Sequence, residues 1–110
     1  MYSKNFNINL NILSVRFDSD FKVIDIIRFS EEIKQYNNIT IKMDLSNLKT
    51  YQNYCAILEI IQEFIIKNIK IENNYNHNDY KLIIYVTEEI YSVILKKCKK
   101  EIMLYLQLIK

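Results

Sequence analysis

The sequence contains no glycine and no proline. Phosphate-binding loops need glycine so that their backbone amides can approach the phosphates, so a Walker-type loop and a dinucleotide-binding fingerprint are both excluded. Turns and positive-φ positions must instead be formed by asparagine or aspartate, the next most tolerant residues. We therefore expect turns where asparagine is concentrated, at Asn11, Asn37-Asn38, Asn47, Asn73-Asn74 and residues 76–79.

Histidine and cysteine are also scarce. A catalytic serine or cysteine needs a base, and the single histidine, His77, lies in a polar stretch far in sequence from both thiols. Cys55 and Cys98 are too few and too far apart for a disulfide framework or a zinc site. Each falls on the apolar side of a predicted helix, where a core thiol is favoured over a reactive or paired one. We predict that the chain is not an enzyme, and we assign it no catalytic residue, no metal and no cofactor.

The totals are typical of one small globular domain. The 110 residues are half hydrophobic and one quarter charged, and we expect a single α/β domain spanning residues 1–110. The net charge of +2 argues against a strong general affinity for nucleic acid. No apolar run approaches the length of about 18 residues that a membrane span needs, and the N-terminal residues lack a signal-peptide plan. We therefore expect a cytoplasmic protein without membrane insertion. Abundant Asn, Ile, Lys and Tyr, with no Gly or Pro, indicate an A/T-rich genome.

Hydrophobic periodicity in the first half of the chain predicts strands and one helix. Residues 6–12 alternate as a half-buried strand, and the parity flips at Ile12-Leu13, which leaves a bulge or a turn between two strands open. Residues 18–20 can end the second strand and cap the next element. An amphipathic helix is predicted on the stripe Ile26, Phe29, Ile33 and Tyr36, although residues 21–27 could begin as a strand. Alternation predicts another strand on Ile39, Ile41, Met43 and Leu45.

The second half predicts helix, strand, helix and a closing element. Residues 50–70 have the best helix pattern, and the polar residues 72–79 are expected to form a loop. The apolar run 82–86 is typical of a central strand covered on both faces. Thr87 is expected to cap the next helix. Residues 104–108 favour a closing strand over a continued helix. The predicted fold is a small α/β sandwich, with a mixed sheet of four to five strands and about three helices.

Few polar groups stand out as candidates for function. Asp44 ends a predicted strand, where α/β sheets tend to place functional groups, but capping of the next turn is the favoured interpretation. Lysines at positions 96, 97, 99 and 100 suit a solvated helix end better than a phosphate site. Most of the nine tyrosines fall on apolar stripes, which favours core or interface use over base stacking.

From Thr40 to Cys98 the chain resembles a STAS domain, the fold of anti-sigma factor antagonists and of the cytoplasmic tails of sulfate transporters. In this family, one strand ends in Asp-Leu-Ser and leads through a short loop into a helix. The matching residues here are Ile41-Lys-Met-Asp-Leu-Ser-Asn-Leu-Lys-Thr, followed by Ala56-Ile-Leu-Glu-Ile. The next strand and helix match Lys81-Leu-Ile-Ile-Tyr-Val-Thr-Glu-Glu-Ile. The resemblance implies a STAS-like fold and docking of a protein partner.

The chain departs from the family at its phosphorylation motif. STAS domains carry an Asp-Ser-Ser-Gly-like element at the start of the helix, and a partner kinase phosphorylates one serine. Matching by the helix places this element at residues 50–53, and matching by Asp44 places it at residues 52–55. A hydroxyl lies near the position only in the first match, so the resemblance implies a scaffold without the switch. Its docking surface is expected around residues 47–56, and the partner-binding residues that we predict are Asn47, Thr50, Tyr51, Gln52, Asn53 and Tyr54.

The leading hypothesis is thus a non-catalytic, regulatory protein-interaction module with a STAS-like scaffold. The alternative is a small phage- or mobile-element-type inhibitor that binds a host enzyme. A nucleic-acid-binding domain is a further alternative, disfavoured by the near-neutral charge. A homo-oligomer stays open as well, because the N-terminal strand has the character of a sheet edge, and sheet edges pair readily.

Overall fold

The computed structural model describes residues 2–18, 20, 22–48, 54–75, 80–97 and 100–109. Its elements in chain order are β1 (Tyr2–Asn7), β2 (Ile12–Phe17), α1 (Val23–Glu32), β3 (Thr40–Asp44), α2 (Tyr54–Ile61), α3 (Lys67–Tyr75), β4 (Lys81–Val86), α4 (Glu88–Lys97) and β5 (Leu106–Leu108). Three short helical stretches complete the fold: a 3₁₀ turn after α1 (Ile33–Gln35), a π-helical stretch that joins α2 to α3 (Gln62–Ile66), and a 3₁₀ stretch before β5 (Lys100–Tyr105).

The five strands form one mixed sheet in the order β1-β2-β3-β4-β5. β1 pairs with β2 antiparallel, and the other three pairs are parallel. Because consecutive parallel strands are neighbours and crossovers share one hand, the connecting helices are expected on the same face of the sheet. The contacts agree, since α1 packs on α2 and the π-helical stretch, and α2 packs on α4. The predicted mixed sheet with three helical segments is confirmed.

The core lies between the sheet and this helical layer. Every second residue of the central strands is buried there: Leu13, Val15 and Phe17 of β2, Ile41 and Met43 of β3, and Leu82, Ile84 and Val86 of β4. The helices contribute the predicted stripes, with Ile26, Phe29 and Ile33 from the first and Leu58, Ile61, Ile65 and Ile69 from the second. The period-two pattern of β2 and β3 and the 3.6-residue period of these helices therefore predicted these buried side chains correctly.

The prediction that β4 is covered on both faces is wrong. Ile83 and Tyr85 are only partly buried, whereas their neighbours Leu82, Ile84 and Val86 are buried. The physical reason is the sequential strand order, which sends each crossover to the same side, so that the described part of the chain places no helix on the other side. The apolar run indicated a strand inside the sheet but not the number of its covered faces.

A turn, not a bulge, explains the change of parity near residue 12. β1 ends at Asn7, whose side-chain Oδ1 accepts hydrogen bonds from the backbone N–H groups of Asn9 (3.1 Å) and Leu10 (3.2 Å). The predicted strand over residues 6–12 is therefore wrong beyond Asn7. Ile8 and Leu10, expected on its half-buried face, are 75% and 65% exposed at the hairpin tip. Asn11 closes the turn with a φ of 53°.

Asparagine takes the place of glycine at two of the expected positions, whereas Asn73 and Asn74, expected in a turn, lie within α3. Asn11 and Asn38 have positive φ values of 53° and 54°. The Asn11 carbonyl also accepts a hydrogen bond from the backbone N–H of Thr40 (2.9 Å), which joins the hairpin to β3. Asn73 pairs with both backbone groups of Tyr80, accepting at 2.9 Å and donating at 3.2 Å. The loop predicted over residues 72–79 is wrong for residues 72–75, because α3 continues to Tyr75. Residues 76–79, including His77, lie outside the described residues.

The two helix starts differ in how well the sequence predicted them. Thr87 caps α4 as expected, because its Oγ1 accepts a hydrogen bond from the backbone N–H of Ile90 (3.3 Å). α1 instead begins after Lys22, whose backbone N–H donates to Oδ2 of Asp25 (2.9 Å). The cap predicted at residues 18–20 is therefore wrong in position. The capping carboxylate is that of Asp25, inside the first turn of the helix, and not one that precedes the helix. This hydrogen bond lowers the pKa of Asp25 below its ordinary value.

The last element combines both alternatives left by the sequence. Residues 100–105 form a 3₁₀ helix, and only Leu106–Leu108 join the sheet beside β4. Leu104, predicted in the strand, belongs to the 3₁₀ helix and is 83% exposed. The predicted core positions of the two cysteines stay predictions, since Cys98 and the side chain of Cys55 lie outside the described part of the chain.

Candidate functional site

The face of the sheet opposite the helices is here called the open face. It is the main candidate for a functional surface in the described chain. The strand register arranges its side chains in transverse rows. The row nearest the carboxyl ends of the parallel strands consists of Ser3, Arg16, Asp44, Tyr85 and Gln107, and the next row consists of Asn5, Ser14, Lys42 and Ile83. Almost every member of these two rows is polar or charged.

These rows border a shallow depression with a volume of about 570 Å³. Its lining residues come from β1 to β4 and are Ser3, Lys4, Asn5, Ser14, Val15, Arg16, Lys42, Asp44 and Tyr85. The volume falls within the range of ligand sites, but such sites enclose their ligand. A shallow depression on an open sheet surface is better suited to contact with another macromolecular surface.

An ion pair crosses the depression between β2 and β3. Arg16 Nε donates to Oδ2 of Asp44 at 3.2 Å, and the two side chains are 56% and 22% exposed. Partly exposed pairs of this kind stabilise a fold by about 0.2–1 kcal/mol, so the pair orients the arginine more than it stabilises the domain. More than half of the Arg16 side chain stays accessible to a ligand.

Asp44 also organises the turn after β3. Its Oδ1 accepts hydrogen bonds from the backbone N–H (2.8 Å) and the hydroxyl (2.6 Å) of Ser46. The capping interpretation of Asp44 is therefore confirmed, and the pairing with Arg16 is an additional role that the sequence did not reveal. One carboxylate thus connects the open face to the turn that leads toward α2.

Only part of the sequence-predicted docking surface falls within the described chain. Asn47 is exposed in the turn after β3, and Tyr54 is the first residue of α2, although its side chain is not described. Thr50, Tyr51, Gln52 and Asn53 lie outside the described residues. Asn47, three residues after the end of β3, therefore belongs to the same edge of the sheet as the row that contains Asp44.

Sequence reasoning missed the open face. Arg16, Lys42 and Tyr85 were assigned only to strands, and no functional role was predicted for them. Their signal was the polar parity of each strand: Ser14 and Arg16 alternate with buried residues of β2, as Lys42 and Asp44 do in β3. Joining these positions into one surface requires the strand order and register, which no local pattern contains.

The open face carries polar groups of several kinds. It presents cations, hydroxyls and a carboxamide around one carboxylate that is already paired. Among the described residues, no group of three or more His, Cys, Asp or Glu side chains is placed to hold a metal ion. None of the described helices combines the length and apolar character needed to cross a membrane. At the end of α4 Lys96 is exposed, and the solvated helix end predicted for the lysines at 96–100 stays a prediction.

A scan against protein-family models, a search of curated proteins and a search of solved structures each found no match.

Proposed function

We propose that the protein is a non-catalytic protein-interaction module whose partner docks at the carboxyl-end edge of the sheet, on the open face and on the connection between β3 and α2. One observation carries the proposal: four consecutive strands pair in parallel, yet the described helices cover only one face of them. Parallel sheets are normally covered on both faces. A partner that packs on the open face would supply the missing cover.

The order of elements supports a STAS-like scaffold for this module. β3 ends at Asp44 and a turn leads toward α2, and β4 passes to α4 with only Thr87 between them. These are the strand-helix steps on which the resemblance to STAS domains rests. The exposed Asn47 then lies at the beginning of the connection in which the resemblance places the docking surface.

The test begins with a tagged chain that captures partners from a cell lysate, after which any stoichiometric protein partner is purified. Its dissociation constant is then measured by calorimetry against the parent chain and against the variants Tyr51→Ala and Asn53→Ala. We expect each variant to weaken binding by about tenfold or more, as truncation of a central contact does.

Lys96→Ala is the matched control, because it removes an exposed side chain from α4 on the helical side. Circular dichroism establishes that all three variants remain folded. Equal affinity of the parent chain and both connection variants would overturn the docking surface, and the lack of any stoichiometric protein partner would overturn the proposed function itself.

A further inference from the structure

The open face carries a positive charge that its own carboxylate does not neutralise. In the described strands, its charged side chains are Arg16, Lys42 and Lys81 against the single carboxylate of Asp44. The described strands therefore give this face a charge of +2.

The three cations lie on a diagonal across three neighbouring parallel strands. Ser14 of β2 is opposite Lys42 of β3, so Arg16 lies two residues beyond the position paired with Lys42. Thr40 of β3 is opposite Lys81 of β4, so Lys42 lies two residues beyond the position paired with Lys81. Each step of the diagonal thus crosses one strand and two residues. With about 4.8 Å between strands and about 3.3 Å per residue, successive cations are roughly 8 Å apart at the backbone.

This spacing suits an extended polypeptide with acidic side chains at alternate positions. In an extended chain, residues i and i+2 point to the same side and are about 7 Å apart. Flexible lysine and arginine side chains accommodate the small difference. Hydroxyls and the amide of Asn5 lie around the diagonal and can donate to backbone carbonyls.

A protein segment fits the observations better than a nucleic acid. Tight nucleic-acid binding neutralises many phosphates, and the described part of this face presents only three cations, one of them already paired with Asp44. Tyr85 is the one aromatic side chain of this face in the described strands, whereas single-stranded nucleic acids are bound by several stacking residues.

We propose that the open face binds an extended acidic segment of the protein partner, with carboxylates at alternate positions along the Arg16–Lys42–Lys81 diagonal. This inference rests on the proposed function and specifies the chemistry of the partner. Lys42 is at the centre of the diagonal and forms no ion pair with a described residue, so it is free to meet a carboxylate.

The test uses the full chain and a short fluorescent peptide in which glutamate alternates with threonine, measured by fluorescence anisotropy at low salt. Lys42→Glu is expected to weaken binding by about tenfold or more, because it places a carboxylate opposite the acidic peptide. Lys81→Glu, at the end of the diagonal, is expected to have a smaller effect in the same direction. Lys96→Glu is the matched control, since it makes the same charge change on the helical side.

Failure of the parent chain to bind the peptide would overturn the proposal. Binding that is lost in Lys42→Glu, kept in Lys96→Glu and regained by Lys42→Glu with a peptide whose central glutamate alone is replaced by lysine supports it. Equal effects of the Lys42 and Lys96 variants, or tighter binding of a single-stranded oligonucleotide than of the peptide, would overturn it. So would light scattering that shows the face occupied by a second copy, with Lys42→Glu dissociating a dimer.

The two proposals fail separately. If the purified partner still loses affinity for Tyr51→Ala and Asn53→Ala but binds Lys42→Glu as tightly as the parent chain, the docking module stands and the acidic segment is rejected.

Discussion

The two faces of one sheet are built from neighbouring residues of the same strands, yet they have opposite compositions. The covered face is entirely apolar in the central strands, whereas the open face combines Ser14, Arg16, Lys42 and Asp44 with the partly buried Ile83 and Tyr85. The covered face forms the core, and the open face is the surface at which we propose that a partner binds. Substitutions at adjacent positions of one strand can separate these two roles.

The largest expected contrast is between Ile84→Ala and Ile83→Ala. Ile84 is fully buried against the helices, and Ile83 is partly exposed on the open face. We expect Ile84→Ala to lower the free energy of unfolding by about 2–5 kcal/mol, because it leaves a cavity in the core. Ile83→Ala is expected to cost less than about 1.5 kcal/mol, because less apolar surface returns to water. Urea unfolding of both variants measures the difference, and equal losses would mean that the second face is also covered.

A buried hydrogen bond on the covered side should outweigh the ion pair of the open face. The hydroxyl of the buried Tyr80 donates to the backbone carbonyl of Tyr36. Tyr80→Phe removes this donor without changing the ring, and we expect a loss of about 1–2 kcal/mol. Unfolding curves of the variant and the parent chain test this value. A loss below a few tenths of a kcal/mol would show that water replaces the hydroxyl.

The ion pair of the open face should contribute less. Arg16→Gln is expected to lower the free energy of unfolding by about 0.2–1 kcal/mol, because the pair with Asp44 is partly exposed. The loss should shrink further at high salt, which screens exposed charges. The measurement is urea unfolding at two salt concentrations, with Asp44→Asn as the reciprocal variant. A loss that is as large as that of Ile84→Ala would contradict the division between the faces.

The smallest effect is expected at the start of α1, outside both faces. The pKa of Asp25 is lowered chiefly by the hydrogen bond from the Lys22 backbone. A lowered pKa in the folded state means a stabilisation that is present above the unfolded pKa of about 3.9 and is lost as the pH falls through the lower folded value. We expect the free energy of unfolding of Asp25→Asn to fall slightly less steeply with decreasing pH than that of the parent chain. Above neutral pH, Asp25→Asn should lower the free energy of unfolding by less than Tyr80→Phe does. An unchanged acid limb would show that the hydrogen bond does not favour the charged carboxylate.

The sequence predicted elements more reliably than it predicted their surroundings. Alternation placed β3 and its buried side chains correctly, because burial on one face leaves a period of two in the chain itself. Alternation failed at Ile8 and Leu10, where the Asn7 side chain turns the backbone away from the sheet. An apolar pattern reports which side chains are able to be buried, and a single turn-forming residue decides whether the chain stays in the sheet to bury them.

The candidate site was predicted only at its margin. Asp44 is indicated by a local signal, its position at the end of a predicted strand, whereas Asn47 is indicated by its turn-forming residue type and by the resemblance to STAS domains. Arg16 and Lys42 are 26 residues apart in sequence, and nothing near either residue indicates the other. Their proximity results from the pairing of β2 with β3, which is a long-range contact.

Composition and periodicity by themselves determined that this chain forms an α/β domain without glycine-dependent phosphate loops and with asparagine at its positive-φ turns. Those conclusions need only local physics, namely the conformational limits of each residue and the periods of strand and helix. Only the tertiary structure decided that the strands pair in sequential order and that the described helices share one face. That order converts scattered polar residues into a single charged surface, because register between distant strands, unlike periodicity within one, is set by the packing of the whole chain.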